Sequence, residues 1–253
     1  MSDSNDIKVI VNPYNFNNKL LTENDVYNIL RKYDIQGNIY SMKYYQFSFI
    51  HSSYTKKAPS EIGENVVLAN KPEGALELMD DDYERLEFLG DAVVSIVIAK
   101  YLFERFPDEN EGFLTKMRTK LVNGEMLGFL ANKLGFGEYA IMSRHIEDKC
   151  KGRTSQHILE DMFEAFVGAM FLDFNEIDNY NLLDNFYSGI GFQICEKFII
   201  HVIEEFVDFS ELILKNNNYK EMLTKYFNET YESSINFSDP TVEGGLNDRL
   251  YTV

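Results

Sequence analysis

Residues 84–103 read ERLEFLGDAVVSIVIAKYLF, a long apolar segment with acidic side chains near its start. At about 100° per residue, Glu84, Glu87 and Asp91 fall within an arc of roughly 60° and share one face of the predicted helix. Like charges at this spacing destabilise an exposed helix by roughly 0.2–0.5 kcal/mol, and by more when they are partly buried. A bound cation would remove this conflict.

A second apolar segment repeats the arrangement. ILEDMFEAFVGAMFLD, residues 158–173, places Asp161 and Glu164 three residues apart among apolar side chains. If the two helices pack together, their acidic pairs form a site with only oxygen ligands, which suits Mg²⁺ or Mn²⁺ better than zinc. The alternative is that both are solvated faces of an acidic protein. Gly90 and Ala165 favour the metal site, because small residues beside the acids allow the helices to approach closely.

The first segment resembles the signature helix of ribonuclease III endonucleases, the enzymes that cut double-stranded RNA. Four further blocks resemble motifs of that family and follow in the family's order, namely FIHSSY (49–54), RFPDENEG (105–112), MRTKLVNGEML (117–127) and ILEDMFEAFVGAMFLD (158–173). Ordered agreement over so much of the chain is not expected by chance. The resemblance implies an all-α fold built on a ribonuclease III endonuclease domain.

The resemblance also implies roles for individual carboxylates. The expected metal ligands are Glu87, Asp91, Asp161 and Glu164. Catalytic roles are implied for Glu84, Asp91, Glu111, Asp161 and Glu164. Every one of these acids is present, which distinguishes the chain from family members that keep the fold and have lost the acids. The expected cofactor is Mg²⁺, with Mn²⁺ able to substitute, and no small organic cofactor is expected.

The implied activity is hydrolysis of double-stranded RNA to products with a 5′ phosphate, a 3′ hydroxyl and short 3′ overhangs. Divalent ions in such a site lower the pKa of bound water and stabilise charge on the leaving 3′ oxygen. The family acts as a homodimer, and Phe88 and Leu89 on the signature helix are the implied dimer contacts. The alternative is a non-catalytic protein on the same fold that binds double-stranded RNA or serves in assembly.

Basic residues near the acidic segments are candidates for RNA contacts, because A-form RNA is held mainly through its phosphates and 2′-hydroxyl groups. These residues are Arg118, Lys120, Lys149, Lys151 and Arg153. Balancing nearby acids explains them equally well. His157 lies one helical turn before Asp161 and is a candidate for an outer contact with the metal site. A surface histidine is the alternative.

The chain of 253 residues carries 24 Lys and Arg against 41 Asp and Glu, a formal net charge of −17. This balance argues against holding nucleic acid through bulk positive charge, so RNA binding is expected to be weak and to depend on cations. Cys150 and Cys195 belong to no disulfide or zinc motif. The apolar stretch 190–207 contains too many charges to span a membrane. We therefore expect no membrane association and a location in the cytoplasm or nucleus.

The same patterns predict how the chain is divided. The expected parts are an N-terminal extension (1–40), the nuclease domain (41–208, with an insertion at 56–82), a linker (209–217) and a partial double-stranded RNA-binding domain (218–253). The last part is predicted to be a short α/β tail of helix, strand, turn and strand. It resembles the start of that domain and stops before the basic second half, which normally supplies most of the grip on phosphate.

Overall fold

The computed structural model describes residues 9–57, 65–175, 190–214, 219–231, 241–243 and 250–252. Within these ranges the α-helices are α1 (Glu23–Lys32), α2 (Met42–Phe47), α3 (Glu84–Arg105), α4 (Glu111–Leu121), α5 (Gly124–Lys133), α6 (Arg144–Cys150), α7 (Gln156–Asn175), α8 (Gly191–Phe206), α9 (Phe209–Leu214) and α10 (Tyr219–Tyr231). The described strands are β1 (Val9–Val11), β2 (Val66–Leu68), β3 (Thr241–Glu243) and β4 (Leu250–Thr252). The predicted all-α fold is confirmed. None of the helices in these ranges combines the length and apolar character needed to cross a bilayer.

The chain divides into two compact units, Met1–Asp208 and Phe209–Val253. In the second unit, β3 and β4 follow α10 and pair antiparallel, with Val242 opposite Tyr251. The described order of helix, strand and strand agrees with the tail that the sequence predicts, whose turn lies outside the described residues. Helix α9 lies inside the predicted linker, whose residues 215–217 fall outside the described ranges.

Helix α7 forms the centre of the first unit, where it packs against α2, α3, α5 and α8. Every residue from 161 to 170 in α7 is buried, which explains why this part of its sequence is apolar on every face. Phe166 on α7 contacts the rings of Phe49, Phe136 and Phe198, with centroid distances of 6.0, 5.1 and 5.7 Å. These tilted and edge-to-face contacts are the preferred geometry for aromatic pairs and hold the surrounding elements on α7.

Helices α3 and α7 cross with their backbones in contact. A Cβ atom added to Gly90 of α3 would lie 1.8 Å from the carbonyl oxygen of Glu164, and one added to Gly168 of α7 would lie 2.2 Å from that of Leu86. Only glycine fits at these two positions, because neither helix backbone can move away without separating the pair. The crossing therefore fixes where the acidic residues of the two helices meet.

Replacing Gly168 by alanine is expected to lower the melting temperature of the metal-free protein. Overpacking a core costs about 1–3 kcal/mol, and each kcal/mol corresponds to about 2–4 °C for a chain of this size. Gly112→Ala is the matched control, because the nearest atom to its added Cβ is a side-chain oxygen of Asn110 at 3.3 Å. Thermal melting measures both variants. Equal melting temperatures for Gly168→Ala and the parent would contradict the close crossing.

The N-terminal extension and the insertion pack on the nuclease unit and on each other. Strand β1 pairs in parallel with β2, with Val9 opposite Val66, so the insertion contains a strand that its own sequence pattern does not indicate. Residues 58–64 of the insertion lie outside the described ranges. Farther along the extension, the side-chain amides of Asn15 and Asn18 donate to the carbonyl oxygen of Met142, at 3.2 and 3.0 Å. The described part of the extension therefore belongs to the same compact unit as the nuclease helices.

Candidate metal centre

The crossing of α3 and α7 brings together the four carboxylates predicted as metal ligands. Asp161 and Glu164 on α7 are 6% and 7% exposed. On α3, Glu87 is half-buried and Asp91 is exposed. The two acids of each pair lie on the same face of their helix, because residues three or four positions apart share a face.

Burial and mutual repulsion raise the pKa values of three carboxyl groups, those of Glu87, Asp161 and Glu164. Burial raises the pKa of Glu164 to about 8, and the charge of Asp91 adds to the shift. Burial also raises the pKa of Glu87 to about 7, with Asp161 as the next cause. The pKa of Asp161 is raised by burial as well, although a hydrogen bond from Tyr83 opposes the shift. The charges of α3 thus act on the carboxylates of α7, and the reverse, which shows that the two pairs face one another.

Glu164 has an additional property that fits a cation site. The residue is only 7% exposed, yet its carboxylate, which keeps some access to solvent, makes no hydrogen bond or ion pair with any residue in the described parts of the chain. Burying a carboxylate without a partner is costly. A divalent cation bound by oxygen ligands removes that cost, and Mg²⁺ and Mn²⁺ are the ions that carboxylates suit best. The donor set present here fits such an ion.

Tyr83 orients Asp161, and the sequence does not indicate this contact. The hydroxyl of Tyr83 donates to Asp161 Oδ2 at 2.9 Å in a buried hydrogen bond. The ring of His51 meets the Tyr83 ring edge-on at 5.9 Å between centroids. Tyr83 directly precedes α3, which is the one signal that could have drawn attention to it. Its partner lies 78 positions away, so no local pattern could have identified the bond.

His157 and Glu160 extend the acidic cluster along α7. His157 Nδ1 lies 3.3 Å from Asp161 Oδ1 and 3.5 Å from Glu160 Oε2. His157 therefore contacts the Asp161 carboxylate, and its side chain is 81% exposed, as the surface alternative predicts. Glu160 is a residue that the sequence reasoning missed, although its position directly before Asp161 was a visible signal.

The other two acids with predicted catalytic roles occupy the starts of helices. Glu84 is exposed in the first turn of α3, and its charge contributes to raising the pKa of Glu87. Glu111 is exposed at the start of α4, where its carboxylate accepts a hydrogen bond from Thr115 at 2.8 Å. The structure thus places Glu84 beside the four central carboxylates and Glu111 on a separate helix.

The basic residues predicted to contact RNA have different environments. Arg118 and Lys120 lie in the last turn of α4, and Lys149 and Lys151 are exposed at the end of α6. Arg153 is held inside the protein, because its guanidinium donates to the Glu147 carboxylate at 3.0 Å, to the Gly137 carbonyl at 3.1 Å and to the Asn18 side chain at 3.2 Å. These bonds give Arg153 a structural role in joining the N-terminal extension to the loops before α7.

Helix α3 carries an apolar stripe on the side away from α7. Phe88, Ile96 and Phe103 are 83%, 56% and 70% exposed. Their spacing places them within an arc of about 80° on the helix. Leu89, the second residue predicted at a dimer contact, is only partly exposed. We refer to Phe88, Ile96 and Phe103 as the α3 stripe.

The fold and the site together define the class of this protein. It is an all-helical domain in which two crossing helices carry facing carboxylate pairs that could hold a metal ion. Residues 84–175 match the family model of the ribonuclease III domain. This region therefore belongs to the ribonuclease III family, which confirms the resemblance seen in the sequence.

Individual relatives agree with this assignment. A probable ribonuclease 3 of Acanthamoeba polyphaga mimivirus is 30% identical over 220 residues, which cover 85% of this chain and 37% of the relative. Ribonuclease 3 of Staphylococcus aureus strain RF122 is 35% identical over 172 residues, 68% of this chain and 63% of the relative. The chain thus spans less than two thirds of the length of these relatives.

A solved fold agrees as well. The nuclease domain of ribonuclease III from Campylobacter jejuni aligns with a TM-score of 0.52 and 24% identity, covering 74% of this chain and 97% of that domain. A second structure of the same domain, described as showing flexibility in a region involved in dimer formation, aligns with a TM-score of 0.51 and 26% identity, covering 71% and 96%.

Proposed function

We propose that this chain is a divalent-metal-dependent endonuclease that cleaves double-stranded RNA as a homodimer. Its products would carry a 5′ phosphate, a 3′ hydroxyl and short 3′ overhangs, as the family resemblance implies. The proposed cofactor is Mg²⁺, with Mn²⁺ as a substitute. The proposed location is the cytoplasm or nucleus, in keeping with two cysteines that are both free.

The observation that carries the proposal is the facing of two carboxylate pairs across the α3–α7 crossing, with Glu164 buried and lacking a partner among the described residues. A purely structural core would not retain such a group, because each buried unpaired carboxylate costs stability. A stability cost at one site is typical of residues kept for chemistry or binding.

The side chains have distinct tasks in this proposal. Glu164 and Asp161 hold the cation from α7, and Glu87 and Asp91 hold it from α3. The Tyr83 hydroxyl fixes Oδ2 of Asp161, while Oδ1 lies 3.3 Å from His157 Nδ1 and makes no bond to Tyr83. A divalent cation held there would lower the pKa of water and stabilise charge on the leaving oxygen of the phosphodiester. The carboxylates thereby supply binding and orientation, and no nucleophile from the protein is needed.

The proposed RNA surface consists of Arg118, Lys120, Lys149 and Lys151. These residues lie at the ends of α4 and α6. The contacts they make are expected to be with phosphates, which position the duplex without reading its sequence. We leave Arg153 out of this surface because its guanidinium is used within the protein.

The α3 stripe is the proposed dimer contact. Large apolar side chains exposed on one face of a helix are typical of a protein interface. One structure of the Campylobacter domain is described as showing a region involved in dimer formation. That description supports the same proposal here.

Phe88→Glu is expected to convert the proposed dimer to a monomer. Burying a Phe is worth about 1.5–3 kcal/mol, and a two-fold dimer contains the contact twice. The dimer dissociation constant is therefore expected to rise by ~10²-fold or more. Phe16→Glu is the matched control, since Phe16 is also exposed (62%) but lies in the N-terminal extension. Analytical ultracentrifugation measures both, and a parent that is already monomeric would contradict the proposed contact.

The decisive experiment incubates the protein with end-labelled duplex RNA in Mg²⁺, with EDTA and with single-stranded RNA of the same sequence as controls. The proposal predicts cleavage of the duplex only, and only with the metal, and mapping of the product ends tests the overhang. Absence of duplex cleavage would overturn the proposed activity. Duplex binding without cleavage would instead support the alternative, a non-catalytic RNA-binding or assembly protein on this fold.

A further inference from the structure

One turn of α7 presents a nitrogen and two carboxylates to a common point. His157, Glu160 and Asp161 each offer one ligand atom, and these three atoms lie within 4.8 Å of one another. Two ligands about 2.0–2.2 Å from an ion and at the tetrahedral angle that zinc prefers are separated by about 3.4 Å. The distances of 3.3 and 3.5 Å from His157 Nδ1 to the two carboxylates are close to this value.

The two carboxylates are held in place by contacts outside the cluster. Asp161 has one oxygen fixed by Tyr83, so its other oxygen faces His157. Glu160 is packed against the start of α5, where a Cβ added to Gly124 would lie 2.2 Å from Glu160 Oε2. Ligands held before an ion binds lose little conformational entropy on binding.

A further carboxylate follows the cluster along α7. Glu164, one turn farther along α7, is buried and has no hydrogen-bonding or ionic partner among the described residues. The charge of Glu160 is one of the causes that raise its pKa, after burial and Asp91. A cation beside Glu160 and Asp161 would therefore also relieve the repulsion on Glu164.

The imidazole sets this cluster apart from the four-carboxylate centre. Mg²⁺ prefers oxygen ligands, whereas imidazole nitrogen suits zinc, copper, nickel and related transition metals. We propose that His157, Glu160 and Asp161 form a site for a transition-metal ion of the zinc, cobalt and nickel class, which shares Asp161 with the Mg²⁺ centre and so inhibits Mg²⁺-dependent cleavage. The inhibitory part rests on the proposed function, and the binding part does not.

Binding is tested with Co²⁺ alone, by titrating the intact chain and following the visible absorption of the ion. His157→Ala is expected to weaken the apparent Co²⁺ affinity by at least about tenfold. His145→Ala is the matched control, because His145 is also exposed but lies on α6. The His145→Ala variant should bind Co²⁺ with the affinity of the parent. Glu160→Gln should weaken binding as His157→Ala does, and circular dichroism checks that each variant is folded. Equal Co²⁺ affinities for the parent and His157→Ala would overturn the site.

Inhibition is tested by adding Zn²⁺ to duplex RNA and the enzyme in excess Mg²⁺. Each variant is compared with its own rate without Zn²⁺, and the Zn²⁺ concentration for half-inhibition is expected to be at least about tenfold higher for His157→Ala than for the parent. An unchanged half-inhibition concentration would overturn the sharing of Asp161. If the parent fails to cleave duplex RNA in Mg²⁺ alone, the proposed function fails, while the Co²⁺ titration still decides the binding site.

Discussion

Glu164→Gln is expected to reduce cleavage of duplex RNA by ~10³-fold or more while raising the stability of the metal-free protein. A bound cation supplies several kcal/mol of charge stabilisation in a phosphodiester transition state, and each 1.36 kcal/mol is a factor of ten in rate. Glutamine has nearly the shape of glutamate and no charge, so it removes the repulsion from Asp91 and the cost of burying the carboxylate. Loss of activity together with a gain in stability is typical of a residue kept for function.

The measurements are single-turnover cleavage of duplex RNA and thermal melting in EDTA and in Mg²⁺. A ligand that binds only the folded state raises the melting temperature, and this increase should be much smaller in Glu164→Gln. Glu104→Gln is the matched control, because it changes an exposed glutamate near the other end of α3, where Glu104 pairs with Lys100. Equal cleavage rates for Glu164→Gln and the parent would exclude Glu164 from the metal centre.

Without metal, the protein is expected to lose stability as the pH rises from about 6.5 to about 8. The pKa of Glu87 is about 7 and that of Glu164 about 8 in the folded chain, against 4.5 for an ordinary glutamate side chain. The folded state therefore binds more protons than the unfolded state across this interval, and stability falls as those protons are lost. Glu164 should dominate because Glu87 is more exposed to solvent. The fall should amount to several degrees, at about 2–4 °C for each kcal/mol.

The lower limit of this pH interval, about 6.5, is set by the titration of His51. Burial lowers the pKa of the His51 imidazole below 6.5, the ordinary value for histidine. The contribution of His51 to stability is therefore complete above pH 6.5 and is lost only on acidification. Melting temperatures in EDTA at several pH values measure the effect. Glu164→Gln should show a shallower slope, and Glu104→Gln the slope of the parent. A melting temperature that rises with pH in the parent would contradict the raised pKa values.

With saturating Mg²⁺ the stabilisation by the ion should grow with pH, because the ligands bind the ion when deprotonated.

Much of the candidate site is predictable because its pattern is local. The shared face of Glu84, Glu87 and Asp91 follows from helix geometry alone, and the same holds for Asp161 and Glu164. The contacts that complete the site are long-range. Tyr83 reaches Asp161 across 78 positions, and Arg153 reaches Asn18 across 135. No periodicity within a segment carries such information, so for Arg153 the sequence could not choose between an RNA contact and the balancing of nearby acids that its ion pair with Glu147 now shows.

The extension and the insertion illustrate the same limit. Strand β1 lies in the extension and its partner β2 in the insertion, and each has three residues. Three residues are too few to show an alternating pattern. Their parallel pairing depends on a chain path that brings Val9 beside Val66, which only the folded protein reveals.

The sequence by itself determined that α3 is a long apolar helix with carboxylates on one face, because helix periodicity links neighbours three and four positions apart. It could not determine which apolar side of α3 is core. Val94 and Phe88 are both apolar, yet Val94 is fully buried and Phe88 is 83% exposed. That difference was decided by the close crossing at Gly90 and Gly168, since burial depends on which surface of α3 a distant helix covers. The same crossing sets two acidic faces opposite each other, and so makes one candidate centre from two separate patterns.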